Sequence, residues 1–211
     1  MNVDGTKWND YITPWTWPDH STSKADFIKG YGGWDQIDGG GGDDEIDGGQ
    51  GNDKILGGSG ADQLKGGGGQ DSLDGGSGRD NLDGGSGNDF LDGGTGNDIL
   101  RGGKGFDAFV FSTELGRSNV DTITDFNHAD DQIFLSQAIF NDLWLGGLSD
   151  DQFHKGAGAT EGADAQDRII YDTASGNLYY DPDGSGSDAA VRFAVLTGSP
   201  NNVNASDFTI V

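Results

Sequence analysis

An apolar residue recurs at every ninth position between Gly30 and Val110. These apolar residues are Ile37, Ile46, Ile55, Leu64, Leu73, Leu82, Leu91, Leu100 and Phe109. Their neighbours along the chain are mostly polar, as in Gln36 and Asp38. Because side chains alternate across a strand, this pattern predicts short strands that each present one apolar side chain to a core. Such a strand cannot bury itself alone, so we expect many of them to stack into a solenoid with a thin, continuous core.

The same period governs the glycines and the acids, and it divides residues 30–110 into nine units of nine residues. The fourth residue of every unit is glycine: Gly33, Gly42, Gly51, Gly60, Gly69, Gly78, Gly87, Gly96 and Gly105. The sixth is always aspartate: Asp35, Asp44, Asp53, Asp62, Asp71, Asp80, Asp89, Asp98 and Asp107. Tyr31 is one irregularity, because it stands where the second glycine of its unit would fall. Upstream the phase persists weakly, since Asp26 fits the sixth position and Asp10 fits it after a seven-residue shift.

Composition and charge indicate that this chain is either disordered or has its charge neutralised by a bound species. Only 32% of its 211 residues are hydrophobic, 40 are glycine, and the formal charge is -24. Low hydrophobicity with high net charge is typical of disorder, unless a bound species neutralises the charge. The carboxylates oppose nucleic acid and anionic membranes as partners, and they favour a hard cation with oxygen ligands. The absence of cysteine excludes disulfides and cysteine-based zinc or redox sites.

The units match the pattern G-G-x-G-x-D-x-U-x and resemble the nonapeptide of the RTX (repeats-in-toxin) family, a calcium-binding β-helix repeat. The resemblance covers residues 30–110 almost without gaps. It implies an all-β fold, a right-handed parallel β-roll in which two nonapeptides make one coil. It also implies that Ca²⁺ ions lie between coils on the same side, eighteen residues apart, and that the chain holds about seven of them.

The resemblance also implies the metal ligands. The carboxylate pairs would be Asp35 with Asp53, Asp44 with Asp62, Asp53 with Asp71, Asp62 with Asp80, Asp71 with Asp89, Asp80 with Asp98, and Asp89 with Asp107. Carbonyls of the turn glycines would complete the coordination. The first-position glycines in this set are Gly39, Gly48, Gly57, Gly66, Gly75, Gly84 and Gly93. Those at the fourth position are Gly42, Gly51, Gly60, Gly69, Gly78, Gly87 and Gly96.

The charge balance of the repeat supports this expectation. Residues 30–110 contain 16 acidic and 5 basic residues, a net charge of -11, and about seven Ca²⁺ would add about +14. Without metal, like charges about 4 Å apart would repel by roughly 1 kcal/mol in water and by more in a lower dielectric. We therefore expect disorder without calcium and folding with it. A flexible glycine-rich linker would not need an apolar residue every ninth position, and a metal-free solenoid would not need aspartate in every turn.

Downstream of the repeat, glycine becomes less frequent and apolar residues become more frequent. The segments 121–126 and 131–136 resemble the D-x-I-x-D-F…D-x-I-x-L region that continues and caps the roll in many RTX proteins. Further strands are predicted at 168–171, 177–180 and 189–196. The loop 181–188 is favoured as a solvated hairpin turn over a calcium loop, because its glycine and acidic positions do not match an EF-hand. The last residues, 207–211, resemble the uncleaved C-terminal signal of type I (ABC transporter) secretion. The alternative is an ordinary final strand, and the two are compatible.

Three regions are expected: an aromatic N-terminal cap with degenerate repeats (1–29), the nine nonapeptides (30–110), and a β-rich C-terminal cap with a secretion signal (111–211). Trp8, Tyr11, Trp15 and Trp17 are interpreted as a plug over the open end of the core, and the alternative is an exposed surface for sugar or partner recognition. Residues 1–10 lack the layout of a cleavable signal peptide, so export would use another route.

The sequence predicts that the chain is not an enzyme. None of its histidines, His20, His128 and His154, lies in H-E-x-x-H, and no G-x-S-x-G is present. Only about 29 residues precede the repeats, too few for a catalytic domain. The resemblance implies a secreted, extracellular calcium-binding protein that meets the type I secretion machinery, similar to small rhizobial RTX proteins. The alternatives are an export and folding module of a larger enzyme, and a calcium-dependent adhesin that binds host or cell-surface glycans or membrane.

Overall fold

The structure is a computed structural model that describes residues 2–13 and 24–211. Two long β-sheets face each other, and the repeat alternates between them, so that each pair of nonapeptides makes one coil. Within the repeat every neighbouring pair of strands is parallel. The predicted all-β parallel β-roll is therefore confirmed.

Sheet 1 contains one strand from each coil, followed by two antiparallel pairings and a final parallel strand. In spatial order its strands are β1 (Asn2–Asp4), β3 (Phe27–Lys29), β5 (Glu45–Gln50), β7 (Gln63–Gly68), β9 (Asn81–Ser86), β12 (Ile99–Lys104), β14 (Asp121–Ile123), β20 (Val191–Leu196), β19 (Asn177–Tyr180), β18 (Ile169–Asp172) and β17 (Phe153–Gly156). The three strands that were predicted downstream of residue 160 are present here as β18, β19 and β20, with bounds shifted by at most two residues.

Sheet 2 contains the other strand of each coil. From its N-terminal edge its strands are β2 (Tyr11–Ile12), β4 (Gln36–Asp38), β6 (Lys54–Gly60), β8 (Ser72–Gly78), β10 (Phe90–Asp92), β13 (Ala108–Phe111), β15 (Gln132–Leu135), β21 (Phe208–Ile210) and β16 (Gly146–Gly147), with β11 (Thr95–Gly96) also paired to β8. The C-terminal residues 208–210 thus form an internal strand between β15 and β16.

The core is the row of eighth-position side chains. Ile37 lies opposite Ile55 and Ile46 lies opposite Leu64, each eighteen residues along the chain. All nine apolar side chains of the repeat are at most 2% exposed, and Ile12 and Ile28 extend the row upstream. Each coil buries its apolar residues only by contacting its neighbours, as the periodicity predicts.

Several strands are longer than the three residues expected. β6 runs to Gly60 because Gly58 and Gly60 remain in ladder register with Gly76 and Gly78. The glycine half of each unit therefore forms part of the stack rather than a free loop. Tyr31 adopts a left-handed φ of 71° at the position where other units place a glycine.

The roll continues beyond the nonapeptides at both ends. Upstream, β1 and β2 pair in parallel with β3 and β4. Downstream, β14 and β15 add another coil, and β20 and β21 pair with them in parallel. Apolar side chains such as Phe193 and Phe208, at most 1% exposed, fill the core at that end.

Of the four aromatic residues predicted to plug the N-terminal end, the two that the structure describes lie on the surface. Trp8 is 69% exposed and Tyr11 is 67% exposed, so neither is buried over the end of the core. Trp15 and Trp17 lie outside the described residues. In the described part of the chain, no helix is long and apolar enough to cross a membrane.

Candidate metal centre

The sixth-position aspartates form two continuous rows along the roll. In each row the Oδ1 atom of one aspartate accepts a hydrogen bond from the main-chain N–H of the aspartate one coil earlier. Asp53 accepts from Asp35 at 2.9 Å, and Asp62 accepts from Asp44 at 2.7 Å. The remaining pairs, Asp53–Asp71, Asp62–Asp80, Asp71–Asp89, Asp80–Asp98 and Asp89–Asp107, have distances of 2.8–3.0 Å. The structure therefore brings together all seven carboxylate pairs that the resemblance implied.

The second carboxylate oxygen of these residues is buried without a hydrogen-bond partner. This holds for Oδ2 of Asp35, Asp44, Asp53, Asp62, Asp71, Asp80, Asp89 and Asp98. The side chains themselves are at most 2% exposed. A buried carboxylate oxygen without a donor is costly, and a regular row of them indicates a missing positive partner.

Seven of the eight unpartnered Oδ2 atoms approach the same glycine Cα as a glycine carbonyl oxygen of the next coil. Around Gly66, a Cβ atom would lie 2.5 Å from Asp71 Oδ2 and 2.7 Å from the carbonyl oxygen of Gly84. Only glycine fits where the carboxylate and the carbonyl oxygen approach the chain this closely. Seven such pairs occur, Asp35 with Gly48, Asp44 with Gly57, Asp53 with Gly66, Asp62 with Gly75, Asp71 with Gly84, Asp80 with Gly93, and Asp89 with Gly102.

Burial destabilises the charged form of these carboxylates. Desolvation raises the pKa of Asp44, Asp80 and Asp89 to about 7 and that of Asp71 to about 6. The hydrogen bond that each Oδ1 accepts from a main-chain N–H lowers the pKa, whereas neighbouring aspartates raise it further. A cation beside Oδ2 would reverse this balance and keep the rows ionised at neutral pH.

These oxygen pairs fit calcium. Carboxylate and main-chain carbonyl oxygens are the ligands that Ca²⁺ prefers, and its flexible coordination suits a gap formed by the backbone. Within residues 2–13 and 24–211, no cluster of three or more His, Cys, Asp or Glu side chains could hold a metal ion. A metal in this roll would therefore depend on main-chain oxygens as well as on the aspartates.

Comparison with known families agrees with this geometry. The family model of the RTX calcium-binding nonapeptide repeat matches in four copies, at residues 20–46, 38–73, 47–82 and 74–108. This region is an RTX calcium-binding repeat array. Comparison of the sequence with curated proteins gave no match.

Two solved structures resemble the chain that carries this RTX array. The AlgE6R3 subunit of a mannuronan C5-epimerase from Azotobacter vinelandii is 26% identical, with a TM-score of 0.36, over 79% of this chain and 77% of that one. The extracellular lipase LipA from Serratia marcescens is 16% identical, with a TM-score of 0.39, over 100% of this chain and 40% of that one.

The two predicted groups of turn glycines occupy different places in the RTX array. The carbonyls of the first-position glycines lie beside an unpartnered Oδ2, except that of Gly39. The Cα of Gly39 instead lies beside Oδ2 of Asp44. The fourth-position carbonyls lie in the gap between coils but close to a glycine Cα, as for Gly51 beside Gly69. Their role as calcium ligands remains a prediction.

The carboxylate rows are longer than the RTX nonapeptides. Asp10 and Asp26 donate their main-chain N–H groups to Oδ1 of Asp35 and Asp44, at 2.6 and 2.7 Å. At the other end, Asp98 and Asp107 donate to Oδ1 of Asp121 and Asp131, at 3.0 and 3.1 Å. Sequence reasoning did not assign Asp121, Asp131 or Gly102 to the site, although the first two begin the D-x-I-x-D-F and D-x-I-x-L segments.

The loop 181–188 joins β19 to β20 as predicted, since these strands are antiparallel. It is held by its own carboxylates. Asp181 is fully buried and its Oδ2 accepts from the N–H of Gly162 at 3.0 Å. Oδ2 of Asp183 accepts from the N–H groups of Ser187 and Asp188, at 2.8 and 3.1 Å. These main-chain donors lower the pKa of Asp183.

Proposed function

We propose that this chain is a secreted, calcium-dependent β-roll that folds outside the cell when about seven Ca²⁺ ions bind between its coils. The observation that carries the proposal is the double row of eight buried, unpartnered Oδ2 atoms, seven of which lie beside a glycine carbonyl. With the carboxylates ionised, a cation in each gap would relieve this arrangement in every coil at once. The match to the RTX calcium-binding repeat model supports the choice of calcium.

The two oxygens of each aspartate would have different roles in calcium binding. Oδ1 of each aspartate fixes the carboxylate by accepting an N–H group from the previous coil, as Asp71 does for Asp53. Oδ2 and the glycine carbonyl would then be the ligands, as for Asp71 and Gly84. Calcium would supply positive charge that compensates the aspartates. The eighth-position core holds the coils in register but is too thin to overcome this repulsion alone.

Export is part of this proposal. Extracellular calcium modules bind with Kd values of roughly 10⁻⁴–10⁻³ M, so such sites would be empty in the cytosol and filled outside. The C-terminal segment 207–211 is proposed as the type I secretion signal. Phe208 and Ile210 within it are buried in sheet 2, at most 3% exposed, so a transporter could read them only before the chain folds. We expect deletion of residues 207–211 to abolish export by a co-expressed type I transporter, whereas export that persists would contradict this part.

The folding claim is tested by titrating the metal-free chain at pH 7.5 with Ca²⁺. Far-ultraviolet circular dichroism reports β-structure and calorimetry reports the number of ions. The expected result is a cooperative gain of β-structure together with the binding of about seven ions. Titration with Mg²⁺ is the control, because that ion demands a small octahedral shell and should not replace calcium. A native-like spectrum in excess chelator at this pH would overturn the proposal.

A further inference from the structure

Three phenylalanines on the outer surface of sheet 2 depart from the repeat. The outward seventh position is Gln36, Lys54 and Ser72 in successive coils and then becomes Phe90. The fifth position on the same side is Asn52, Gln70 and Asn88 and then becomes Phe106. Phe134 is added in the next coil, where it pairs with Val110. The first coils also carry aromatic residues here, Tyr11 at the seventh position and Trp34 at the fifth. The polar residues of the coils between show that the fold does not require aromatic side chains at these positions.

These departures meet in space. Phe90 and Phe134 pack edge to face, with ring centroids 6.1 Å apart. Together with Phe106 they line an open cleft of about 450 Å³, which the loop containing His128 and Asp130 borders on one side. Phe90 is 50% exposed and Phe106 is 62% exposed. Exposed aromatic rings gathered in a concave site are characteristic of ligand binding rather than of folding.

The polar side of this cleft is held in place by buried groups. Nδ1 of His128 lies 2.5 Å from Oδ1 of Asp207, which is 2% exposed and comes from the C-terminal segment. Oδ2 of Asp207 accepts the N–H of Asn204 at 2.9 Å, so the carboxylate itself is fixed. This contact orients the imidazole and leaves Nε2 as the ring nitrogen available to a ligand. The side-chain amide of Gln132, also in the lining, is held by Ser206 and Thr209.

The exposed aromatic patch is small compared with a stable protein interface. A phenylalanine side chain offers 150–250 Å² at most, so Phe90 and Phe106 together expose roughly 200 Å². A specific protein interface buries about 800 Å² on each partner. The cleft therefore fits a small ligand, and its volume lies in the range of small-molecule sites.

The chemistry of the lining identifies the ligand class. Its ionisable side chains are Asp107, Asp130, Asp131 and His128, and it contains neither lysine nor arginine, so it offers nothing to an anion. Aromatic faces beside amide, imidazole and carboxylate groups match a pyranose ring, which has an apolar C–H face and a polar hydroxyl edge. We propose that this cleft binds a neutral oligosaccharide, with Phe90 and Phe106 under the sugar face and His128 and Asn88 at its hydroxyl groups.

The repeat itself supplies the variants for the test. Phe90→Ser and Phe106→Asn install the residues found one coil earlier at Ser72 and Asn88, so the double variant should fold. Tyr11→Gln with Trp34→Asn is the matched control, because it removes two exposed aromatics at the seventh and fifth positions of the N-terminal coils. Circular dichroism in saturating calcium verifies that each protein is folded, which separates this test from that of calcium-dependent folding.

Binding is measured by saturation-transfer NMR and calorimetry with neutral hexaoses of glucose, mannose, galactose and N-acetylglucosamine, and with choline as a cationic probe. The expected result is binding of at least one hexaose, weakened at least about tenfold in the Phe90/Phe106 variant and unchanged in the control. Four results would each overturn the proposal. These are no hexaose binding, equal binding by both variants, binding of choline alone, and a dimer in sedimentation that only the Phe90/Phe106 variant disperses.

Discussion

Oδ1 of Asp53 accepts a 2.9 Å hydrogen bond from the main-chain N–H of Asp35, eighteen residues earlier and one coil away. The bond fixes the carboxylate so that its other oxygen points towards the gap between coils, where it has no hydrogen-bond donor. Repetition of this relationship converts a local Gly-Asp pattern into a continuous row of oxygen atoms. Under the proposed function, the stability of the roll and the occupancy of its metal sites would therefore be coupled.

Removing one charge from the middle of a row should weaken both folding and calcium binding. We expect Asp71→Asn to retain the Oδ1 contact to Asp53 but to lose about one ion and to raise the midpoint calcium concentration about tenfold. Calorimetry and circular dichroism measure the two effects. Asp74→Asn is the matched control, because Asp74 is exposed on the outer face three residues later. Equal midpoints for the two variants would show that Asp71 is not a ligand.

The close approach at the first position should not tolerate a methyl group. In Gly66→Ala the new Cβ would meet Asp71 Oδ2 at 2.5 Å and the Gly84 carbonyl oxygen at 2.7 Å. We expect a loss of about 1–3 kcal/mol in the free energy of unfolding, measured in saturating calcium by chemical denaturation. Gly68→Ser is the control, because other units carry serine at that position. A loss of similar size in both would place the effect in the turn rather than in the oxygen pair.

Acid should act in opposite directions on the two states of the protein. Burial raises the pKa of Asp44, Asp80 and Asp89 to about 7, from 3.8 when exposed. The metal-free fold therefore binds more protons than the unfolded chain, and its stability is greatest below about pH 4 and is lost as the pH rises towards 7. In chelator we expect β-structure to increase on acidification from pH 8 to pH 4. In limiting calcium, protons should compete with the ion, so that the midpoint calcium concentration rises from pH 8 to pH 6. A metal-free spectrum that does not change with pH would contradict this prediction.

A ladder of alternating charges runs along the outer face of sheet 1, and we expect it to add to the register that the core specifies. Lys29, Asp47, Lys65, Asp83 and Arg101 lie in register on successive strands. Arg101 contacts Asp83 at 3.0 Å, and Lys65 lies 3.9 Å from Asp47. A slip of one coil would bring like charges opposite each other, which destabilises a sheet.

Reversing one charge of this ladder should therefore destabilise the fold more than the same change of net charge made elsewhere. We expect Lys65→Glu to lower the free energy of unfolding in calcium by about 1 kcal/mol. The control Lys104→Glu changes the net charge equally, but Lys104 lies outside the ladder. Urea denaturation at low salt should show a difference in the free energy of unfolding between the two variants. The difference should shrink at 0.5 M salt, where charges are screened beyond about 4 Å. No difference at low salt would mean that the ladder has no role in register.

The repeat could be predicted from the sequence because each coil makes the same contacts with its neighbour. Ile37 and Asp35 each meet their own equivalents in the neighbouring coil, so nine-residue spacing alone specifies the core row and the acid row. Beyond the nonapeptides this rule fails, since Asp98 meets Asp121 after 23 residues and Asp107 meets Asp131 after 24. Core contacts of β14 and β15, and not the spacing, determine that register.

The outer cleft could not be predicted from the sequence at all. His128 and Asp207 are 79 residues apart, and they meet because β21 inserts beside β15. Phe90 and Phe106 could have been identified as departures from the repeat, but their exposure depends on which way each position faces. The unusual positions at Trp8 and Tyr11 were visible in the sequence, yet their exposed location was not.

The most direct test of this account is a crystal structure in excess calcium, with anomalous scattering measured at a long wavelength. The account predicts an anomalous peak beside Oδ2 in each of the seven gaps, from Asp35 and Gly48 to Asp89 and Gly102. Ordered coils whose gaps contain no ion would contradict it.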